Sequence, residues 1–169
     1  MTEANLEIDY QPLVDRFTEL AEEQIAENLV SVVLYGSVAR GNAGPLSDID
    51  ILVVIEEGSD VYYERLEPFL TILNQIRAES AGVKQDEFGL IPEISVLILT
   101  REEASENKYL YLDMIEEAKI LYDRDEFFQK RLESLADRLE ELGSRRVEFN
   151  GGWYWDLKPD LKLGEVVVL

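Results

Sequence analysis

Two short apolar runs and the polar segment between them constrain the fold of this chain more than any other feature. The first run, LVSVVLY (Leu29–Tyr35), is rich in β-branched residues and stops abruptly at Gly36-Ser37. The second run, residues 50–55, begins with an aspartate, and the residues after it are apolar on both faces of the expected strand. Short apolar runs of this kind are typical of buried strands, and a run apolar on both faces indicates a covered strand. The pair therefore predicts two strands inside a sheet that is covered on both faces.

The rest of the chain adds helices and one further strand. Apolar residues at helical spacing predict helices over residues 10–28, 59–78, 109–118 and 128–142. Residues 91–99 read as a third strand, 36–47 as a loop with one helical turn near 38–41, and 120–122 as an apolar link. Capping boxes are predicted at Thr100 with Glu103 and at Asp123 with Glu126. The sum is an α/β (α+β) fold, a small mixed sheet of roughly three to five strands flanked by helices.

The length and composition suit one compact domain. The chain has 169 residues, of which 46% are hydrophobic, enough for a proper core. We assign residues 1–150 to the domain and 151–169 to a C-terminal aromatic tail packed on the same domain. The aromatic run Trp153-Tyr154-Trp155 is expected to dock this tail onto the core. The alternative is that these rings stack on a base or an acceptor ring.

Missing residue types exclude several classes of chemistry. Histidine and cysteine are absent, which removes Ser-His-Asp catalysis, imidazole and thiolate metal sites, and disulfides. Acid-base and metal chemistry must therefore fall to carboxylates. No run approaches the ~20 apolar residues of a membrane span, and the acidic N-terminus does not resemble a signal peptide. A cytoplasmic protein without a membrane partner is the default expectation.

The net charge argues against nucleic acid as a partner. The chain carries 36 acids against 16 bases, a formal charge of −20, and its one pair of adjacent arginines is Arg145-Arg146. Nucleic-acid affinity comes largely from neutralising phosphates, so a field of this sign repels polyanions. A salt-rich or hot source, or a basic partner, would each explain the acidity.

The segment between the two strands contains the candidate site. Gly36-Ser37 follows the first strand, where a phosphate can approach backbone amides closely. Asp48 and Asp50 stand two residues apart at the head of the second strand, so their carboxylates point the same way and suit a divalent cation. The plainer alternatives are a turn for Gly36-Ser37 and a solvated hairpin start for the two aspartates. Together, the two motifs favour a site for a nucleoside triphosphate with its magnesium.

This segment resembles the signature of the DNA polymerase β-like nucleotidyltransferase superfamily, and its form GSVARG followed by SDIDILV is similar to that of the minimal nucleotidyltransferases. A weaker likeness extends over EAKILYDRD, residues 117–125. The resemblance implies the polymerase β-like fold and a Mg²⁺-dependent transfer, with two ions held by Asp48 and Asp50 when nucleotide is bound. Small proteins of this kind often act as antitoxins that adenylylate, or simply bind, a HEPN-type ribonuclease.

The remaining site residues are assigned around this motif. Arg40 lies three residues after Ser37 and is expected beside the triphosphate, with a solvent-exposed arginine as the equal alternative. Ser47 joins the nucleotide-binding set by orienting Asp48 or by ending the loop with a local hydrogen bond. The superfamily usually places a third carboxylate on a neighbouring strand, and here the acid of that strand is Glu93, which the resemblance makes the candidate base. A solvated Glu93 beside Pro92 is the alternative, and nothing in the spacing selects the other acids, Asp86, Glu87 and Asp113.

The sequence thus predicts an enzyme that transfers a nucleoside monophosphate, AMP from ATP above all, to a hydroxyl of a protein or a small molecule. The alternative is a catalytically weakened nucleotide-binding or protein-interaction module of the same fold. The apolar stripe of residues 128–142 is expected to pack in the core, with a homodimer seam as its other interpretation.

Overall fold

The computed structural model describes residues 9–44, 47–80, 92–149 and 152–169. Its strands are β1 Leu29–Tyr35, β2 Ile49–Ile55, β3 Ile94–Thr100, β4 Lys119–Asp123, β5 Arg145–Phe149 and β6 Gly152–Asp156. Its helices are α1 Gln11–Ile25, α2 Gly36–Arg40, α3 Tyr62–Ser80, α4 Arg101–Ser105, α5 Tyr109–Glu117 and α6 Phe127–Leu142. Short 3₁₀ turns cover Ala26–Asn28 and Arg124–Glu126.

The main sheet has four strands in the order β3-β2-β1-β4. The β2–β3 pair is parallel, while β1 pairs antiparallel with both β2 and β4. Helices cover both faces, because one core cluster contains side chains of α1 and α3 and the other those of α4, α5 and α6. The predicted α/β fold with a small mixed sheet flanked by helices is confirmed.

Strand register decides which polar residues meet at the sheet edge. Tyr35 is the partner of Asp50 across β1 and β2, and Asp50 is in turn the partner of Ser95 on β3. Paired residues of neighbouring strands point to the same face, so these three side chains share one face. Leu52, two residues after Asp50 on the same face, belongs to the core cluster of α4, α5 and α6. Asp50 is therefore on the face that α5 covers.

Several predicted elements differ in detail from those observed. The helical turn of the 36–47 segment begins at Gly36, two residues earlier than expected, and residues 120–122 belong to an edge strand rather than a link. The capping box at Thr100 is confirmed, because its side chain accepts from the Glu103 amide while Glu103 accepts from the Thr100 amide. Asp86 and Glu87 lie outside the described residues.

The predicted second capping box, Asp123 with Glu126, is wrong. Helix α6 starts one turn later than a box would require, and Glu126, at its N-terminus, has a left-handed backbone with φ of 56°. The Asp123 carboxylate instead accepts hydrogen bonds from the amides of Phe128 and Gln129, at 3.0 and 2.9 Å. The sequence pattern identified the capping residue but not the 3₁₀ turn inserted between it and the helix.

Strands β5 and β6 form a separate two-stranded hairpin after α6. Trp155 and Leu157 pack against the core cluster of α5 and α6, whereas Tyr154 is 54% exposed. The stripe of α6 (Phe128, Leu132, Leu135 and Leu139) is buried in that cluster, as expected of core packing. The β-branched run of residues 165–169 lies outside both sheets. No helix among the described residues is long and apolar enough to cross a bilayer.

Candidate functional site

Gly36 and Asp50 meet where β1 ends, and the glycine is required for that meeting. Gly36 has a positive φ of 74°, and a Cβ built on it would lie 2.3 Å from Oδ2 of Asp50. No side chain fits at that distance, so any residue but glycine would push the Asp50 carboxylate away. The Gly-Ser motif and the D-x-D motif, separate in sequence, are thus in direct contact in space.

Helix α2 turns the chain immediately after this contact. It runs over five residues and ends at Gly41, whose φ of 73° is left-handed and whose amide reaches back to the carbonyls of Ser37 and Val38. The Asn42 amide also donates to the Ser37 carbonyl, at 3.1 Å. Ser37 is half-buried in the first turn of α2, where amide N–H groups are free to bind an anion.

Asp48 and Asp50 differ in exposure, and this difference shapes their electrostatics. Asp48 is exposed before β2 begins, whereas Asp50 is half-buried within it. Burial raises the pKa of Asp50, the negative charge of Asp48 raises it further, and the Arg40 guanidinium acts in the opposite direction. Two acids held this way repel each other, and a cation between them would relieve that repulsion.

The residues present fit magnesium on the chemistry of the donors. Mg²⁺ prefers oxygen ligands and commonly binds through one or two carboxylates together with substrate phosphates and water. Asp48 and Asp50 supply such a pair. Among the described residues, no group of three acidic side chains is clustered closely enough to form a cage made by protein alone. Bound magnesium would supply positive charge to the phosphate oxygens at this edge of the sheet.

Arg40, at the end of α2, lies beside the same edge. Its Nη1 donates to Oε2 of Glu117 at 3.1 Å, and its guanidinium lies 5.5 Å from the centre of the Trp153 ring. Its positive charge also acts on Asp50 and offsets part of the rise in the pKa of that carboxyl. Arg40 is thus an exposed residue whose side chain contacts Glu117 and Trp153.

Ser47 makes local hydrogen bonds with Gly44. The Ser47 hydroxyl oxygen accepts from the Gly44 amide at 2.9 Å, and the Ser47 amide returns a bond to the Gly44 carbonyl at 3.0 Å. Tyr10, the residue just before α1, donates its hydroxyl to the same carbonyl at 2.7 Å. These bonds hold Gly44 and Ser47 together shortly before Asp48 in the chain, and the role of Ser47 toward nucleotide stays a prediction.

Glu93 directly precedes β3, and its backbone is hydrogen-bonded to the residue that follows Asp48. Its carbonyl accepts from the Ile49 amide at 2.8 Å. Its side chain is 69% exposed and its Oε1 lies 3.8 Å from an Arg77 nitrogen. The structure therefore brings the Glu93 backbone to the site, with its carboxylate directed to Arg77. The β3 residue paired with Asp50 is Ser95, not an acid.

A pocket of about 170 Å³ opens next to Gly36. Its walls come from the end of β1, from α2 and from α5: Tyr35, Gly36, Arg40, Leu110, Asp113, Met114, Glu117 and Ala118. Burial raises the pKa of the Tyr35 phenol, and the nearby Asp50 charge adds to this effect. Sequence reasoning missed Tyr35 and Glu117 as pocket residues. Asp113 and Glu117 stand four residues apart on one helix, a spacing that places both on one face of α5.

The arrangement combines the Gly36-Ser37 turn, two carboxylates and one arginine at one edge of the sheet. Amides and an arginine hold phosphate oxygens, and paired carboxylates hold a cation beside them. Such a set is suited to binding a nucleoside triphosphate and to balancing the negative charge of its phosphates. It needs no histidine or thiol for this.

Comparison with known proteins gives the family. The model of the nucleotidyltransferase domain matches residues 18–149, which includes the whole of this site. A protein of Methanocaldococcus jannaschii, provisionally named a protein adenylyltransferase, is 27% identical over 143 residues, covering 83% of this chain and 90% of its own.

A solved adenyltransferase structure shares the fold. Spectinomycin adenyltransferase AAD(9) from Enterococcus faecialis, solved with ATP and spectinomycin, aligns with a TM-score of 0.53 at 15% identity, over 79% of this chain and 67% of its own. A complex of the Shewanella oneidensis HEPN toxin, tri-AMPylated, with MNT antitoxin aligns at 0.44 and 16% identity, over 79% of this chain and 92% of that one. With the family model spanning most of its length, this chain belongs to the nucleotidyltransferase domain family and is a nucleotidyltransferase.

Proposed function

We propose that this nucleotidyltransferase moves AMP from Mg²⁺-bound ATP onto a hydroxyl group of another protein. The observation that carries the proposal is the contact of Gly36 with Asp50, where a Cβ would lie 2.3 Å from the carboxylate. This contact gives the phosphate-binding turn and the metal-binding acids one common location. A nucleotide held by the turn therefore has its phosphates beside Asp50.

Each residue at the edge has a role in this proposal. Asp48 and Asp50 hold magnesium, two ions once nucleotide is bound. Gly36, Ser37, Arg40 and Ser47 form the nucleotide site, with amides and the Arg40 guanidinium on the phosphates. Attack of the acceptor oxygen on the α-phosphorus forms the new P–O bond as the bond to pyrophosphate breaks. Glu93 takes the hydroxyl proton, provided that its side chain leaves Arg77 when the acceptor binds.

A protein acceptor has two supports. The M. jannaschii relative, which covers most of this chain, is named for protein adenylylation. The GSVARG and SDID motifs resemble those of minimal nucleotidyltransferases that act on HEPN-type toxins, and a HEPN-type protein is accordingly the acceptor we propose. A small-molecule hydroxyl, as in antibiotic adenylylation, is the competing acceptor on the same fold.

The test uses ATP labelled on its α-phosphate, Mg²⁺ and a purified HEPN-type protein. We expect label on the protein with the wild-type enzyme, and none with Asp48→Asn or Asp50→Asn. Gly143→Ala, at the far end of α6, serves as a control that keeps the site intact. Label on an added aminocyclitol instead of the protein would overturn the protein acceptor, and no label on either would overturn transfer.

A second function, nucleotide binding without efficient transfer, is favoured by one observation. The Glu93 carboxylate is exposed and directed to Arg77, and the β3 position beside Asp50 is Ser95. Without a nearby base, deprotonation of the acceptor hydroxyl would be slow. Calorimetry with a non-hydrolysable ATP analogue separates the two: tight Mg²⁺-dependent binding combined with absent label transfer would identify a binding module.

A further inference from the structure

Four side chains from four elements meet at the rim of the pocket, and we call them the arginine–tryptophan cluster: Arg40 of α2, Glu117 of α5, Arg146 of β5 and Trp153 of β6. Glu117 joins the two arginines. Its Oε2 accepts from Arg40 at 3.1 Å, and its Oε1 lies 2.8 Å from Arg146. The guanidinium carbons lie 5.5 Å and 4.0 Å from the centre of the Trp153 ring.

This cluster is more enclosed than an ordinary surface ion pair. The Glu117 side chain is only 13% exposed, and Arg146 is 24% exposed while also reaching Glu116 at 2.8 Å. Partly buried pairs are screened by salt less than exposed ones. Arginine over an aromatic face gains further attraction, most strongly over tryptophan. The contacts thus fix the direction of the Arg40 guanidinium, which would otherwise sample many rotamers.

The charges also leave Arg40 available to an anion. If Arg40 were the sole partner of Glu117, the acid would neutralise it and compete with phosphate. Arg146 contacts the same carboxylate through the other oxygen while also reaching Glu116, so Glu117 is shared between two guanidinium groups and is not paired with Arg40 alone. A guanidinium has donors on more than one edge, and Arg40 can hold Glu117 on one and phosphate on another.

We propose that the β5–β6 hairpin is a positioning element of the nucleotide site: Glu117, Arg146 and Trp153 orient Arg40 toward the triphosphate. The inference rests on the proposed binding of ATP at Gly36 and Asp50. It concerns residues that act through Arg40 rather than on substrate. Trp153 also lies beyond residue 149, where the match to the family model ends, so this contact belongs to the chain's own C-terminal region.

The first test is a double-mutant cycle of Arg40 and Arg146, in which KM for ATP is measured in the transfer assay. Arg40→Ala is expected to raise KM for ATP about tenfold, as expected for one charge-assisted phosphate contact. Arg146→Ala should raise KM about threefold to fivefold with kcat nearly unchanged, and Arg146→Lys should fall between it and wild type. In the Arg40→Ala background, Arg146→Ala should add nothing further, because its effect passes through Arg40.

Arg145→Ala is the matched control. Arg145 is adjacent on the same strand but pairs with Asp156, and its side chain is 66% exposed. We expect no change of KM. A KM shift with Arg145→Ala equal to that with Arg146→Ala would overturn the proposal, since it would reflect general loss of positive charge. Additive effects of Arg40→Ala and Arg146→Ala would overturn it as well.

Tryptophan emission gives a second readout that does not depend on activity. The chain has two tryptophans, both in β6, and Trp155→Phe leaves Trp153 as the sole emitter. Binding of Mg²⁺ with a non-hydrolysable ATP analogue should change Trp153 emission as Arg40 engages phosphate, and Arg40→Ala should abolish the change. Calorimetric binding with unchanged emission would overturn the positioning role alone. Absence of any calorimetric binding by the wild-type protein would instead overturn the proposed function.

Discussion

The two regions that flank the pocket are built in different ways. At the edge of the main sheet, six of the seven residues of β1 are buried, and Asp50 is placed by a backbone that tolerates only glycine opposite it. In the hairpin of β5 and β6, no strand residue is fully buried. Its position relies on ion pairs such as that of Arg146 with Glu117, and on two indole bonds to Asp113.

This difference indicates what each region can contribute. Close packing restricts movement at the Gly36–Asp50 contact, and salt affects such contacts little. Partly exposed charge pairs hold the hairpin more loosely and weaken as ionic strength rises. The sheet edge therefore suits the reacting phosphate and its cation, while the hairpin suits the adjustment of one arginine. The predictions below test this division.

The largest expected effect comes from Asp50→Asn. Loss of the carboxylate should lower transfer on the order of a thousandfold or more, because the cation loses a ligand at the reacting phosphate. The same change should raise the melting temperature of the nucleotide-free protein at pH 7 by about 2 °C, since it removes a half-buried charge next to Asp48. Calorimetry and the label-transfer assay measure the two effects. Asp48→Asn, at an exposed position, should lower transfer with a smaller change of melting temperature.

A decrease of stability on Asp50→Asn would contradict this account, because it would mean that the carboxylate already has favourable partners. Retained transfer would be more serious still. It would show that the Asp50 carboxylate is not needed for transfer.

The next largest effect is expected from Gly36→Ala, with Gly143→Ala as its matched control. Both glycines have left-handed backbones, with φ of 74° and 67°, but a Cβ at Gly143 meets nothing within 4 Å. Gly143→Ala should cost about 1 kcal/mol of unfolding free energy from backbone strain alone. Gly36→Ala should cost about 2–4 kcal/mol and lower transfer about a hundredfold, because the methyl group displaces the Asp50 carboxylate. Urea unfolding gives the first quantity; equal costs at both sites would refute the steric argument.

The sheet edge was predictable because its signals are local in sequence. Strand β1 was predicted over the residues observed, since an apolar β-branched run is bounded sharply by Gly36. Gly36, Asp48 and Asp50 lie within one short segment whose spacing implies their roles. Asp50 also follows strand parity, which places it on the same face as Leu52. Local pattern was sufficient for this part of the molecule.

The hairpin side was not predictable in the same way, because its contacts join distant residues. Arg40 and Glu117 are 77 positions apart, and Trp153 and Asp113 are 40 apart. Nothing in the sequence near Trp153 states which acid its indole will reach. The position of the Glu93 side chain, with Arg77, depends on tertiary contacts too. The failed capping box at Asp123 has a local cause: two residues with left-handed backbones, Asp125 and Glu126, delay the helix.

A smaller effect is expected from pH. Burial and the charge of Asp48 raise the pKa of Asp50, so protonation competes with the cation. Affinity for Mg²⁺ with the ATP analogue should fall as pH drops through this raised pKa, by about tenfold per unit well below it. In the nucleotide-free protein, the contribution of Asp50 to stability has the opposite trend. The folded state binds its proton more tightly, so stability from this group falls as pH rises from the unfolded pKa through the folded one.

Glu103 provides the contrast within the same titration. The Arg65 guanidinium lowers the pKa of Glu103, so its stabilising contribution is present above the unfolded pKa and is lost as pH falls through the folded pKa. Calorimetric binding between about pH 4 and pH 7 for wild type and Glu103→Gln separates the two groups. The pH dependence of binding should survive Glu103→Gln. If it does not, the dependence reflects unfolding rather than protonation of Asp50.

The smallest effect is expected at the anchor of the hairpin. Oδ1 of Asp113 accepts from the indoles of Trp153 and Trp155, at 2.9 and 3.0 Å. Asp113→Asn keeps an acceptor oxygen for both bonds. Asp113→Leu removes the acceptor but keeps a branched side chain of similar shape. We therefore expect Asp113→Leu to cost about 1 kcal/mol more than Asp113→Asn in urea unfolding and to shift tryptophan emission to the red. Transfer at saturating ATP should persist in both, because Gly36 and Asp50 do not depend on the hairpin. If Asp113→Leu abolished transfer at saturating ATP, the division between the packed edge and the adjustable hairpin would be wrong, and the hairpin would belong to the reacting centre itself.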